Sequence, residues 1–318
     1  MRRRPLHCCV LHCHEWRNQC HRLARETLVN QTASIKDWLG RQRREDDELG
    51  LGQVRRLAAM LDQDPSKYRS GSDVPEAWYA ILFGPTALQQ SIGPDGHPLT
   101  GGDDLMPPLH NTRRMFAGRR ATFHKPLKVG DLVERVSTIR QVEPKTGRTG
   151  AFTLVTVVHE MNTNGSLAVT EEQDLVYREA VAEAAGAAKP AQQAKGQPTT
   201  DKPDWSQAWT PDTPQLFRYS ALTYNAHRIH YDLPYTREKE GYPALVVNGG
   251  LTALMLVESA RPHVPGTITG YDARAMAPLF IGQTITLNTR LNGDVAETWA
   301  VAEDGGVHYR VNVKFRKK

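Results

Sequence analysis

LFRYSALTYNAHRIHYDLPYTREKEGYPALVVNGGLTALML, residues 216–256, is the stretch on which the reading of this chain turns. An apolar and aromatic run, Leu216 to Leu222, is expected to be a strand leading into a polar turn with Asn225, His227, Arg228 and His230. A charged segment follows, closed by Gly241-Tyr242-Pro243, and then Ala244 to Val247. Asn248-Gly249-Gly250 opens an apolar run with helical propensity, Leu251 to Val257. The expected order is strand, histidine turn, charged surface, glycine pair, buried helix. Chemically, that sets a base beside a helix N-terminus, whose unpaired backbone N–H groups can hold a negatively charged oxygen.

Working outward, the same turn carries a motif. Thr223-Tyr224-Asn225-Ala226-His227-Arg228-Ile229-His230, with Asn248-Gly249 farther on, resembles the motif of the hot-dog-fold acyl-thioester hydratases and dehydratases, the MaoC-like or type 2 enoyl hydratase family. That motif runs small-Gly-Asp-x-Asn-Pro-apolar-His, and a glycine then opens the central helix. His230 and Gly249 match it; Asn225 stands where the family has Asp, and His227-Arg228 replace Asn-Pro. The form Asn-x-His-Arg-Ile-His-Tyr-Asp is similar to one branch, the mitochondrial 3-hydroxyacyl-thioester dehydratases and the mesaconyl-CoA and itaconyl-CoA hydratases. The resemblance covers residues 34 to 318. It implies an α+β double hot-dog fold and a hydro-lyase acting on a short acyl-CoA, with mesaconyl-CoA and itaconyl-CoA the dicarboxylic candidates.

Hydrating an α,β-unsaturated thioester delivers water to the β-carbon while negative charge grows on the thioester oxygen. His230 is the candidate acid/base group, because imidazole exchanges protons near neutral pH. The Gly249 N–H is the candidate oxyanion donor. Asn225 cannot take a proton but can orient water; a plain turn asparagine is the bland alternative. His227, Arg228, Asn248 and Gly250 are expected to contact substrate. Arg228, Arg274, Arg113 and Arg114 could pair with CoA phosphates or a substrate carboxylate, and each could equally be a surface charge. His227-x-x-His230 with Asp232 could ligate a metal, but no further ligand cluster supports it, so no metal is expected. CoA enters only as part of the substrate, and no other cofactor is needed. The rivals are a hot-dog thioesterase, which would want a carboxylate at position 225, and a non-catalytic thioester-binding module.

An internal repeat supports two copies of one fold. Pro126-Leu127-Lys128-Val129-Gly130-Asp131-Leu132 parallels Pro278-Leu279-Phe280-Ile281-Gly282-Gln283-Thr284, 152 residues on. In the first copy the turn Leu61-Asp62-Gln63-Asp64-Pro65 has no histidine, so that half is expected to shape the pocket. Residues 34–178 form this degenerate domain, 179–205 a linker rich in Ala, Gln, Lys, Gly and Pro, and 206–318 the catalytic domain. Before them, 34–70 look helical, with Arg41 to Glu48 a solvated charged face. Residues 91–111 form a long loop, a class usually functional or mobile. Strands are expected at 119–123, 131–142, 264–275, 284–293, 297–302 and 307–315. Residues 151–162 and 167–177 should form a hairpin turning at Asn164-Gly165.

The net charge of +5 is mostly local: residues 1–30 hold six Arg against two Glu. A nucleic-acid role for the body is therefore not expected, and no apolar run is long enough to span a bilayer. All four cysteines, Cys8, Cys9, Cys13 and Cys20, lie in this opening segment, so the body has no disulfide framework. Cys9-x3-Cys13 with Cys20-His21 could ligate zinc, and the arginines could mark a transit peptide. The expected reading of 1–33 is a disordered or mis-assigned extension. The expected location is cytoplasmic, or mitochondrial in a eukaryote, and a homodimer is compatible with the reading.

Overall fold

Asn164 and Gly165 take positive φ, 51° and 69°, as a two-residue hairpin turn demands. They join β4 (Gly150–Thr163) to β5 (Ser166–Glu179), with Thr163 opposite Ser166. The computed structural model describes residues 35–99, 105–106, 112–147, 150–179 and 195–317. The zinc and targeting readings of the N-terminal extension, and the first part of the expected linker, lie outside the described residues.

The first half adds β1 (Gln42–Glu48), β2 (Thr112–Phe123) and β3 (Leu132–Gly147) to the hairpin. The second holds β6 (Trp205–Trp209), β7 (Gly266–Ala275), β8 (Ile285–Asn292), β9 (Val295–Val301) and β10 (Val307–Lys317). All ten make one sheet in the order β1-β3-β4-β5-β2-β7-β10-β9-β8-β6. The second five repeat the first five in reverse, so a pseudo-two-fold axis passes between β2 and β7. These pair antiparallel from Gly118–Arg274 to Thr122–Gly270. The repeated corners do the same work twice. Gly130 (φ 93°) donates its N–H to Leu49 O, just after β1, and Gly282 (φ 77°) to Pro211 O, just after β6.

Among the described residues four α-helices accompany the sheet: α1 (Leu51–Met60), α2 (Thr213–Thr223), α3 (Leu233–Glu238) and α4 (Gly249–Ala260). Seven of the twelve α4 residues are buried, including Leu251, Leu254, Leu256 and Val257. A helix apolar on nearly every side belongs inside, and α4 is the one the second half wraps. The matching place in the first half holds only a 3₁₀ turn, Glu76–Ile81, with Trp78 and Tyr79 buried. One hydrophobic core runs through both halves, with Leu57 and Trp78 from the first joining Leu216, Leu251 and Val311 from the second. This is the α+β double hot-dog architecture. No helix among the described residues is long and apolar enough to cross a membrane.

Two local expectations are corrected. The charged face at 41–48 is strand β1, not helix. Its exposure alternates residue by residue, and Glu45 and Arg44 pair across to Arg135 and Glu134 of β3. Charges of this kind protect a sheet edge from further pairing. The run 216–222 is not a strand but part of α2. Asp212 caps it by accepting from Gln215 N–H (2.8 Å), Pro214 sits in its first turn, and Leu216, Tyr219 and Ser220 face inward at helical spacing. The latter part of the expected linker lies against the second half: Gln197 pairs with Val307, and Asp201 accepts from Arg310 (2.8 Å).

Candidate active site

Helix α2 ends in a left-handed residue, Tyr224 (φ 51°), which turns the chain sharply into the motif. Asn225 N–H donates to Ser220 O (2.8 Å), and the Asn225 Oδ1 accepts from the His227 N–H (3.1 Å). This side-chain turn leads into a 3₁₀ turn, Arg228–His230, that tucks His230 inside at 7% exposure. There the His230 Nδ1 lies 2.8 Å from Val246 O. A carbonyl only accepts, so Nδ1 carries the proton and Nε2 is left as a basic lone pair. Burial pushes the His230 pKa down to about 4, the Val246 hydrogen bond opposing and His97 assisting. At neutral pH the ring is therefore an uncharged proton acceptor.

The segment carrying Val246 is fixed on both sides. Val246 N–H donates to Ile229 O (3.0 Å), while Val247 N–H donates to Leu279 O (2.8 Å) and Ile281 N–H to Leu245 O (3.1 Å). The repeated Pro-to-Gly corner thus aligns the residues entering α4 with the histidine turn. Thr252 is the first residue to bond back within the helix, to Asn248 O (3.0 Å). The N–H groups of Gly249, Gly250 and Leu251 therefore lack intrahelical partners. A Cβ on Gly250 would stand 2.4 Å from Tyr219 Oη, so only glycine fits there. A Cβ on Gly249 would meet nothing nearer than Tyr309 Cε2 at 3.7 Å. Asn248 is 2% exposed; its Nδ2 reaches Ser220 Oγ (3.4 Å), and its buried Oδ1 has no partner among the described residues.

A contribution not foreseen from the sequence comes from the first half. Gly93-Pro94-Asp95-Gly96-His97 docks on the motif: Arg228 N–H donates to Asp95 O (2.9 Å), and Arg228 Nη1 to Pro94 O (2.8 Å). Gly96 makes the approach possible, at φ 92° and with any Cβ only 1.8 Å from Ala226 O. The loop sets His97 against His227, ring centroids 4.2 Å apart and planes tilted by 43°, and His227 meets His230 edge-on at 5.5 Å. Asp95 Oδ2 lies 3.0 Å from His97 Nδ1, and that hydrogen bond holds the Asp95 pKa at about 2 against the upward pull of burial. The only sequence sign of this was a long loop with a histidine and an aspartate in its turn.

The other candidates divide. Arg228 directs its guanidinium at Asp232 (2.7 Å) and stacks on Tyr235 (4.2 Å), so it ties the loop to the motif. Arg274 is exposed on β7, and the side chains of Arg113 and Arg114 lie outside the described residues. Asp232 caps α3 and is not gathered with the histidines; the trio that could hold a divalent ion is Asp95, His97 and His227, one ligand atom from each within 4.8 Å of the others. Binding there would compete with the Asp95–His97 hydrogen bond.

Comparison with known proteins gives the family and the fold. The sequence model of hydroxyacyl-thioester dehydratase type 2 fits residues 77–281. The mesaconyl-C(4)-CoA hydratase of Chloroflexus aurantiacus is 40% identical over 282 residues, 87% of this chain and 96% of that protein. The mitochondrial hydroxyacyl-thioester dehydratase type 2 of Schizosaccharomyces pombe is 34% identical over 88 residues, 27% of this chain and 29% of that one. A MaoC-like dehydratase from Phytophthora capsici shares the fold, with a TM-score of 0.68 at 12% identity over 90% of this chain and 99% of that one. The chain belongs to the hydroxyacyl-thioester dehydratase type 2 family and is an acyl-thioester hydro-lyase.

Proposed function

We propose that the chain adds water to, or removes it from, the α,β position of a short dicarboxylic acyl-CoA, with His230 as the base and the Gly249 N–H as the oxyanion donor. The observation that carries this is the His230–Val246 hydrogen bond (2.8 Å), which ties the ring to the segment entering α4 and leaves Nε2 a neutral lone pair. In the hydration direction His230 Nε2 takes a proton from water as the hydroxyl adds to the β-carbon. Charge gathers on the thioester oxygen, which the Gly249 N–H holds. The protonated His230 then returns the proton to the α-carbon, so one water is consumed and the histidine is regenerated.

Asn225 spends its Oδ1 on His227 and keeps its Nδ2 for the water oxygen, which would turn a water hydrogen toward the base. Gly249 is required by neither packing nor positive φ, which fits a glycine kept bare for a ligand. A dicarboxylic acyl group is supported by the 40% identity to a mesaconyl-C(4)-CoA hydratase. No metal or redox cofactor enters this chemistry; CoA arrives with the substrate. The test is to incubate purified protein with crotonyl-, mesaconyl- and itaconyl-CoA, following enoyl absorbance and free thiol. Loss of the enoyl band without thiol release is expected. Thiol release would make it a thioesterase, and no change with any substrate would leave a binding module.

A further inference from the structure

Resting on the dicarboxylic reading above, we propose that Arg119, with the hydroxyls of Tyr219 and Tyr309, forms the subsite that receives the substrate's free carboxylate. Arg119 stands on β2 at the seam of the two halves, opposite Ala273 of β7 and Gln173 of β5. In an antiparallel sheet, directly opposed residues and their second neighbours share a face. Arg119 therefore shares a face with Glu171 and Tyr271. Tyr309 of β10 lies on the same face, two residues along from Val311, which pairs with Ala273, and the Arg119 charge reaches Tyr79, Tyr219, Tyr271 and Tyr309.

Two of those tyrosines also touch the start of α4. The Tyr219 hydroxyl occupies the place a Gly250 Cβ would need, and Tyr309 Cε2 lies 3.7 Å from that of Gly249. Two of the tyrosines that feel the arginine's charge thus border the expected oxyanion donor. A short diacid places its second carboxylate just beyond the double bond, so the required span is small.

Unmet hydrogen-bonding capacity points to a ligand. Tyr219 and Tyr309 are 4% and 3% exposed, and neither hydroxyl is hydrogen-bonded to another described residue. Tyr79 and Tyr271 differ: Tyr79 donates to Glu171, and the two hydroxyls lie 2.9 Å apart. Glu171 meets Arg119 at Nε (3.3 Å), and that nitrogen is fully covered. The Arg119 side chain nonetheless keeps 18% of its surface accessible, against 7% for Glu171. The accessible part is therefore not the edge that Glu171 occupies. A guanidinium with surface left accessible beyond its Glu171 and Tyr271 contacts, and two hydroxyls without partners among the described residues, supply donors, as a carboxylate requires.

The alternative is a purely structural ion pair, and substrate discrimination separates the two. The readout is the ratio of kcat/KM for mesaconyl-CoA to that for crotonyl-CoA, which lacks the second carboxylate. Tyr309→Phe removes a hydroxyl that no described residue uses, and it should lower the ratio about tenfold. Arg119→Met alone would strand Glu171, so the second variant is Arg119→Met with Glu171→Leu, an apolar replacement of the kind that buried ion pairs tolerate. It should lower the ratio about a hundredfold or more. An unchanged ratio in this folded double variant overturns the assignment of Arg119. If the wild-type enzyme itself shows no preference for mesaconyl-CoA, the dicarboxylic reading fails first and takes the subsite with it.

Discussion

The two halves share a strand order and a repeated corner, but they use the end of their first helix differently. A left-handed residue follows each, Asp62 two residues after α1 and Tyr224 directly after α2, with φ 56° and 51°. After Tyr224 the chain builds the histidine turn. After Asp62 it builds a brace, in which Gln63 Nε2 donates to Glu258 near the far end of α4 (3.0 Å), as does Trp78 Nε1 (3.2 Å). The half without a wrapped helix thus holds the other half's helix in place, and through Asp95 and His97 it also reaches the histidine turn. Duplication has yielded one site served by two halves.

The sharpest way to break this asymmetry is His230→Ala. If all proton transfer belongs to the second half, kcat should fall at least about a hundredfold, the scale of general acid–base catalysis, while CoA-ester binding persists. Steady-state kinetics and a binding titration on the same sample check it. Full activity in this variant would transfer the base role elsewhere, with His97 and His227 the nearest claimants.

Gly96→Ala tests the first half's loan. Alanine would carry both an unfavourable φ and a collision with Ala226 O, so the loop should lift from the motif. Displacing His97 and slackening Arg228 should cost about tenfold in kcat/KM, with the circular dichroism spectrum kept. Wild-type kinetics would show that the docked loop contributes nothing to turnover.

These two residues also mark what sequence could and could not convey. His230 and Gly249 sit on one continuous stretch whose spacing is fixed by local structure, so a motif exposes them. Asn164-Gly165 and the paired corners likewise encode their turns in place. His97 lies 130 residues before His227 and meets it only because a glycine lets one loop press on another backbone. Arg119 and Tyr309 share a face only through the register of separate strands. β1 escaped because its residues are charged on both faces, leaving no apolar period. α2 escaped because its aromatic run resembles a strand until Asp212 and Pro214 are read as its start.

Asn225→Asp probes the departure from the family pattern within the catalytic half. A carboxylate can still accept from the His227 N–H, so substantial activity should remain, whereas Asn225→Ala should lower kcat. His230 must be neutral to act, so activity rises with pH through its pKa, now depressed to about 4. A negative charge nearby would raise that pKa and carry the acid limb of the kcat profile to higher pH. An unmoved limb would mean that residue 225 does not reach His230.

The smallest effect expected is on stability, and it asks whether the halves pay equally for their buried imidazoles. His159 on β4 has its pKa lowered to about 4 by burial, with Glu171 opposing and Arg135 and Arg119 assisting; its Nδ1 lies 2.7 Å from Ser137 Oγ. His230 is lowered to the same value in the other half. For both, the unfolded chain binds a proton at pH values where the folded protein does not. Their contribution is therefore complete above the unfolded value near 6.5 and is lost as pH falls toward 4, at up to about 1.4 kcal/mol per pH unit for each histidine. Glutamine cannot titrate, so His159→Gln should show a smaller fall in melting temperature between pH 6.5 and 5 than the wild type. His230→Gln should be flattened by a similar amount, and the double variant by the sum. A variant as acid-sensitive as the wild type would show that its histidine becomes charged without leaving the folded protein, through a rearrangement open to one half and not the other.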